Sequence, residues 1–511
     1  MWATRVGFLW EVAWYWGREP RGARILFVWL SLVVALIGAL AIVVAVVSPV
    51  GAQEVSNCAS KDQPQAPGAE AQDPDCLPDL TTRTLVTDPD HTNQSDWEGL
   101  HASETVNPAG PPDQLIPGLQ IDGYVPDDFT TNCSNVEDFG ECHDSQFVIR
   151  LPDEWNGKLV ITGAPGVRRQ FANDFIISDF VLSRGYAFAS TDKGNTGTAF
   201  YEDGEQPGDA VAEWHRSVEQ LTKAAKSTVE QWYGEEPDYT YMTGISNGGY
   251  LTRYAIENNP ELYDGSVDWE GTIFRRNGPN LFTHLPQALR HYPECKTSAP
   301  DYDNHACELM YKAGYKRGSE LLWEEHYLEY WDLTQRTYRE EFDPGYDGEQ
   351  QAGTPFCQED GDPQTRCDAE YRYKKRPDRV KEAVERVSLN GEIGKPMLTL
   401  SGTLDTLLPI RRHSDPYRQL IENQGKGKLH RYFVIEDGNH VDSWNERYRT
   451  ELRPILPCYW AAFGELEEWV EHPNSPDGSP PNSKFVPKPE DPTANLANQC
   501  SISQEATYSQ P

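Results

Sequence analysis

Positive charge is scarce in this chain. Its 511 residues carry 45 Lys and Arg against 80 Asp and Glu, a formal net charge of −35. A surface of that sign repels nucleic acid and anionic bilayers, so neither is expected as a partner, except for a membrane met through the N-terminal segment. A soluble acidic surface or a salty habitat accounts for the excess. Metal-type cysteine spacing is missing as well: there is no Cys-x-x-Cys and no paired Cys/His pattern, which argues against zinc. EF-hand spacing and internal repeats are also absent. Cysteine itself is absent before Cys58.

What is present begins with an N-terminal address. Arginines at 5, 18, 21 and 24 precede Ile25–Val47, an uncharged apolar run. That run is long enough to span a bilayer, while Val50-Gly51-Ala52 before Gln53 has the form of a cleavage site. A cleaved signal and a retained anchor both place the rest of the chain outside the cell. The 10 cysteines fit an oxidising compartment, with neighbour pairs 58–76, 133–142, 295–307, 357–367 and 458–500 expected as disulfides.

The length fits one large domain with insertions, or two domains. Residues 1–53 are the signal or anchor, and 54–115 a polar, Pro- and Asp-rich linker or N-terminal extension. Residues 116–271 and 393–472 alternate strand-like and helix-like patterns, as an α/β core with a mainly parallel sheet flanked by helices requires. Residues 272–392 break that rhythm and read as a large inserted cap or lid, and 473–511 as an irregular tail.

The chemistry centres on Gly244-Ile245-Ser246-Asn247-Gly248. Gly-x-Ser-x-Gly needs glycines beside the serine because the strand-to-helix turn is sharp, and the turn exposes the hydroxyl at a helix N-terminus. A serine hydroxyl needs a base. His440, in a glycine-containing loop after the strand 429–436, is the candidate. Asp405, just after the strand ending at Ser401, is the candidate for orienting it, with Asp268 as the alternative acid. The order Ser246, Asp405, His440 is that of α/β-hydrolases. Oxyanion donors are expected at the Asn247 amide and in the loop Gly163–Val167, where Ala164 is the candidate because Pro165 has no N–H. Arg168 and Arg169 follow as candidate substrate-binding cations, with a salt-bridged pair as the plainer reading. Trp269, Trp323 and Trp331 are candidates for an aromatic pocket or for core packing.

These residues resemble the tannase/feruloyl esterase family of α/β-hydrolases. The likeness rests on Leu151–Gly157, on Arg184–Asp192, on Trp214–Lys226 with Tyr233-Gly234, and on Gly244–Gly249. It implies a lidded serine esterase with Ser246, Asp405 and His440 as its triad. It also implies a lid that often carries calcium; read from the residues, Asp343, Asp347, Glu349, Asp360 and Asp362 are candidate calcium ligands, with an acidic surface loop as the plainer reading. One departure stands out. Family members place disulfide-linked cysteines beside the serine and histidine, and here those positions hold Ile245 and Val441. The expectation is therefore an exported carboxylic-ester hydrolase that needs no cofactor and acts on phenolic esters. Hydroxyalkanoate oligomers are the alternative substrate, and a non-catalytic surface binding protein is the rival of another class.

Overall fold

The computed structural model describes residues 58, 61–111, 113–126, 145–194, 197–346, 357–359, 362–364, 367–474, 480–488 and 500. The chain divides into Met1–Ala52 and Gln53–Pro511, and the description concerns the second unit. The apolar run 25–47, Cys133, Cys142 and the side chains of Cys357 and Cys367 lie outside the described residues. Among the described residues no helix is long and apolar enough to cross a membrane.

The chain enters its sheet through β1 (Ala71–Leu77), β2 (Gly118–Val125) and β3 (Ser145–Pro152). β1 pairs antiparallel with β2, and β2 with β3. β4 (Lys158–Gly163) and β5 (Ala187–Thr191) precede helix α1 (Asp209–Tyr233). β6 (Tyr239–Ile245), helix α2 (Asn247–Asn258) and β7 (Gly265–Trp269) follow. The sheet order is β1-β2-β3-β5-β4-β6-β7, with β4 to β7 all parallel.

Burial on both faces explains why these central strands read as continuous apolar runs. In β4, Leu159 and Ile161 pack into one core cluster and Val160 into the other. Helix α1 covers the first face with Val211, Trp214, Val218, Leu221, Ala225, Val229 and Trp232, a stripe at helical spacing. It begins after Gly208 and ends at Gly234, both left-handed, at φ 95° and 84°.

Between β7 and the next sheet strand lies the expected insertion. It contains helices α3 (Leu285–Cys295), α4 (His305–Ala313) and α5 (Trp331–Phe342), then the small pair β8 (Cys357–Glu359) and β9 (Asp362–Gln364), then helix α6 (Asp378–Arg386). Its described strands stay out of the main sheet. Cys295–Cys307 staples α3 to α4. The chain then returns in β10 (Met397–Gly402), parallel to β7 with Met397 opposite Ser266. Helix α7 (Ser414–Asn423), β11 (His430–Ile435), helix α8 (Leu456–Glu471) and β12 (Lys484–Val486) complete the order. Tyr459, Ala462, Phe463 and Leu466 of α8 cover the second face of the sheet.

Two expectations need correction. Residues 54–115 are not a linker: they contain β1, and Leu80, Leu85, Trp97 and Leu100 are buried. Arg150 on β3 ties this segment down. Its guanidinium donates to Asp174, Ser178, Gln120 Oε1 and the His91 carbonyl, at 2.7–3.0 Å, so all of its N–H groups are used. Nor is the tail wholly irregular. β12 adds a parallel strand beside β11, while Cys500 is bonded to Cys458 as expected. Cys58–Cys76 is likewise formed.

Candidate active site

The turn between β6 and α2 shows why the glycines flank the serine. A Cβ on Gly244 would lie 2.5 Å from the Gly248 carbonyl carbon, and one on Gly248 would lie 2.4 Å from the Gly163 carbonyl oxygen. Ser246 sits between them at φ 59° and ψ −115°, a strained conformation for a side-chain-bearing residue. The turn lifts its hydroxyl above the carboxyl end of β6, where open α/β sheets place their sites.

The loops after β10 and β11 bring their side chains to the same point. His440 Nε2 is 2.9 Å from Ser246 Oγ, and His440 Nδ1 is 2.9 Å from Asp405 Oδ2. The other Asp405 oxygen accepts the amides of Leu407 and Leu408, at 2.8 and 2.7 Å. All three candidate triad residues are thus joined in one hydrogen-bonded line. Burial opposes the imidazolium of His440, but the charge and hydrogen bond of Asp405 outweigh it and raise its proton affinity. Burial also disfavours the Asp405 charge, yet attraction to His440 holds that carboxyl below its usual range.

Asp268, the alternative acid, is committed elsewhere. It forms a fully buried ion pair with Arg253 at 2.7 Å and accepts from Thr399 and the Gly271 amide. The acid that does approach His440 from β7 is Glu270, which the sequence reading missed. Its Oε2 lies 3.4 Å from His440 Nδ1, and its Oε1 accepts the Gly402 amide. The available signal was position alone, since Glu270 directly follows the carboxyl end of β7.

The remaining candidates divide. Asn247 opens α2, so its amide is one of the helix's first N–H groups, which have no intrahelical partner. Its side chain donates to the Gly166 carbonyl at 2.9 Å. Ala164 needs correction. It is buried, and its amide extends the sheet by donating to the Thr191 carbonyl at 2.9 Å, so it does not serve an oxyanion. Gly166, left-handed at φ 53°, lines the cavity beside Ser246 instead. Arg168 reaches the cavity wall, but its guanidinium donates to the Asp96 and Glu98 carbonyls. Arg169 is exposed and does not line the cavity. Trp269, Trp323 and Trp331 are core residues and do not line it either.

The cavity over Ser246 has a volume of about 280 Å³. Leu281, Tyr330, Leu333 and Tyr338 of the insertion roof it, and Phe200 and Trp444 of the core complete the apolar and aromatic walls. His326, also in the wall, is pushed down to about 4 by burial and stays neutral. Of the acids expected in a calcium site, Asp343 is described. Both its oxygens face Arg376, and Tyr371 donates to one of them, so it offers no free ligand. Asp347, Glu349, Asp360 and the Asp362 side chain lie outside the described residues.

Residues 133–270, from the approach to β3 through β7, match the tannase and feruloyl esterase family. The chain is tannase/feruloyl esterase-like. Its architecture is an α/β-hydrolase, with a mainly parallel sheet covered on both faces and a serine elbow after β6. Over 143 residues it is 29% identical to the mono(2-hydroxyethyl) terephthalate hydrolase of Piscinibacter sakaiensis, covering 25% of this chain and 23% of that one. Over 132 residues it is 30% identical to a probable feruloyl esterase of Arthroderma benhamiae, covering 24% of each. The chain thus matches about a quarter of the length of these relatives. The crystal structure of feruloyl esterase B from Aspergillus oryzae covers 83% of this tannase-like chain and 90% of its own, with 12% identity and a TM-score of 0.47.

Proposed function

We propose that this protein is an exported serine carboxylic-ester hydrolase that works through an acyl-enzyme. The observation that carries this reading is the 2.9 Å relay from Ser246 through His440 to Asp405, set beneath an apolar cavity. The Ser246 oxygen attacks the ester carbonyl while His440 Nε2 takes the hydroxyl proton. The amides of Asn247 and Gly166 receive the oxyanion. The C–O bond to the alcohol then breaks, His440 returns the proton to the departing alcohol, and an acyl-serine remains. Water then attacks the acyl carbonyl as His440 Nε2 takes its proton, the bond from the acyl carbon to Ser246 Oγ breaks, the acid leaves, and His440 returns the proton to Oγ. No electrons are transferred, so no organic or redox cofactor is assigned.

The aromatic walls favour flat phenolic-acid esters. Hydroxyalkanoate esters are the competing substrate class, because Ile245 and Val441 replace the cysteines of the resembled family. Export is supported by the three disulfides among the described residues.

A fluorophosphonate probe is expected to label wild-type protein at Ser246 and to leave Ser246→Ala unlabelled. An unlabelled but folded wild type would reject the hydrolase reading in favour of a silent binding protein. A panel of ferulate, gallate, short-chain nitrophenyl and hydroxybutyrate esters then assigns the substrate. Rates for hydroxybutyrate above those for ferulate reverse the phenolic assignment.

A further inference from the structure

Two carboxylates, not one, meet the imidazole of the relay. Glu270, Asp405 and His440 each present a ligand atom within 4.8 Å of the others, and all three side chains are buried. Two like charges at that spacing in a dry site cannot both persist, so one acid keeps a proton.

The hydrogen-bond inventory decides which. Asp405 accepts two backbone amides on one oxygen and the His440 Nδ1–H on the other, so its charge is well satisfied. Glu270 accepts the single amide of Gly402, and its buried Oε2 has no acceptor-type bond of its own. An oxygen in that position is satisfied by carrying a hydrogen and giving it to Asp405. Burial, followed by the charge of Asp405, drives the Glu270 carboxyl well above its ordinary range, in agreement with the geometry.

The local backbone is shaped around this side chain. Glu270 itself has φ 49°, a left-handed conformation that is strained for a non-glycine residue. Gly402 opposite has no room for a Cβ, which would lie 2.9 Å from Glu270 Oε1 and 2.3 Å from the Gly438 carbonyl. Among the described residues, the histidines and the phenol packed around the relay carry no competing charge. His284 and His326 are pushed down to about 4, His413 well below its usual range, and the Tyr315 phenol well above, all first by burial.

We infer that Glu270 is a second acid behind the triad: a neutral carboxylic acid that donates to Asp405, accepts from Gly402, and so holds the His440 proton on Nδ1. It touches no substrate, so it is a positioning residue. The inference rests on the hydrolase reading of the same site. It adds that two adjacent strand ends on one side of the histidine loop, after β7 and after β10, each contribute an acid with a separate task.

The test compares Glu270→Gln with Glu270→Ala, each beside wild type. Glutamine keeps the acid's inventory: one oxygen for Gly402 and one N–H for Asp405. E270Q is expected to keep kcat/KM within about threefold and to leave the acidic limb of its pH profile in place. E270A is expected to lose roughly tenfold to a hundredfold in kcat with KM little changed, the size of loss that a displaced reacting group gives. An acidic limb that falls by a unit or more in E270Q shows an ionised Glu270 and overturns the inference. Wild-type kinetics in a folded E270A overturn it too. If E270A fails to fold, the E270Q limb alone decides. A wild type that neither labels with fluorophosphonate nor turns over ester rejects the hydrolase reading instead. The low-field Nδ1–H proton resonance of His440 then still reports on Glu270 without turnover: it is expected to be unchanged in E270Q, and a shifted or lost signal there refutes the neutral acid.

Discussion

The Tyr338 hydroxyl donates to the Asn247 side-chain oxygen at 2.8 Å. That bond joins α5 of the insertion to the residue after Ser246. The same Asn247 side chain donates to the Gly166 carbonyl, so roof, elbow and proposed oxyanion loop meet at one carboxamide. In the proposed mechanism the Asn247 backbone amide stabilises charge only if it is aimed correctly, and these two side-chain bonds are the ties that would set that aim.

Asn247→Ala keeps the amide but removes both ties. It is expected to lower kcat about tenfold to a hundredfold through a misplaced oxyanion site, with a smaller loss for Tyr338→Phe. Steady-state kinetics on a nitrophenyl ester check this. Equal losses in the two variants would show that the roof contact alone matters.

Ser246→Ala and His440→Ala are each expected to lower kcat by about 10⁶, and together by no more, because the two act as one unit. Asp405→Asn is expected to cost about 10⁴, through the wrong imidazole tautomer. The double variant's rate against the single variants' is the check.

The pH profile follows from the raised proton affinity of His440. The free imidazole, not the imidazolium, accepts the serine proton, so activity falls as pH drops through its pKa. With Asp405 favouring the protonated form, the acidic limb of kcat/KM is expected above the ordinary value of 6.5. A limb at or below that value contradicts the relay geometry.

Asp442 links the histidine loop to α8. Its two oxygens accept the amides of Ile455 and Leu456 at 2.7 and 2.8 Å, and burial raises its carboxyl to about 7. A folded pKa above the unfolded one means that the fold holds the proton more tightly between about pH 4 and 7. The Asp442 contribution to stability is therefore present below about pH 4 and declines as pH rises towards 7. Asp442→Asn removes this slope, so its stability relative to wild type is expected to improve across that range by a few kcal/mol at most. Urea unfolding at pH 4.5 and 7.5 measures the difference.

Arg168 lines the cavity, but its Nη1 donates to the Asp96 and Glu98 carbonyls and ties it to the N-terminal segment. Arg168→Met is expected to lower the melting temperature while leaving the ratio of KM values for anionic and neutral esters unchanged. A selective rise in KM for carboxylate-bearing esters would restore it as a substrate-binding residue.

The central strands β3 to β7, β10 and β11 were legible because burial on both faces demands unbroken apolar runs. β1 and β12 were not. β1 reads Ala-Gln-Asp-Pro-Asp-Cys-Leu, and an edge strand needs only backbone pairing on one side, so its side chains carry no pattern. Ser246 was legible because Gly-x-Ser-x-Gly is a local steric requirement. The Asp405 and His440 positions could be read because each follows a recognisable strand.

Sequence by itself therefore determined the parallel core, the elbow and the order of the triad, since all three are encoded over a few consecutive residues. Tertiary structure decided the rest. It spent the Ala164 amide on Thr191, Asp268 on Arg253 and Arg168 on backbone carbonyls, and it placed Glu270 beside His440. Whether a donor or a charge is free for chemistry depends on which distant group reaches it first, and that competition is settled only when the strands are side by side.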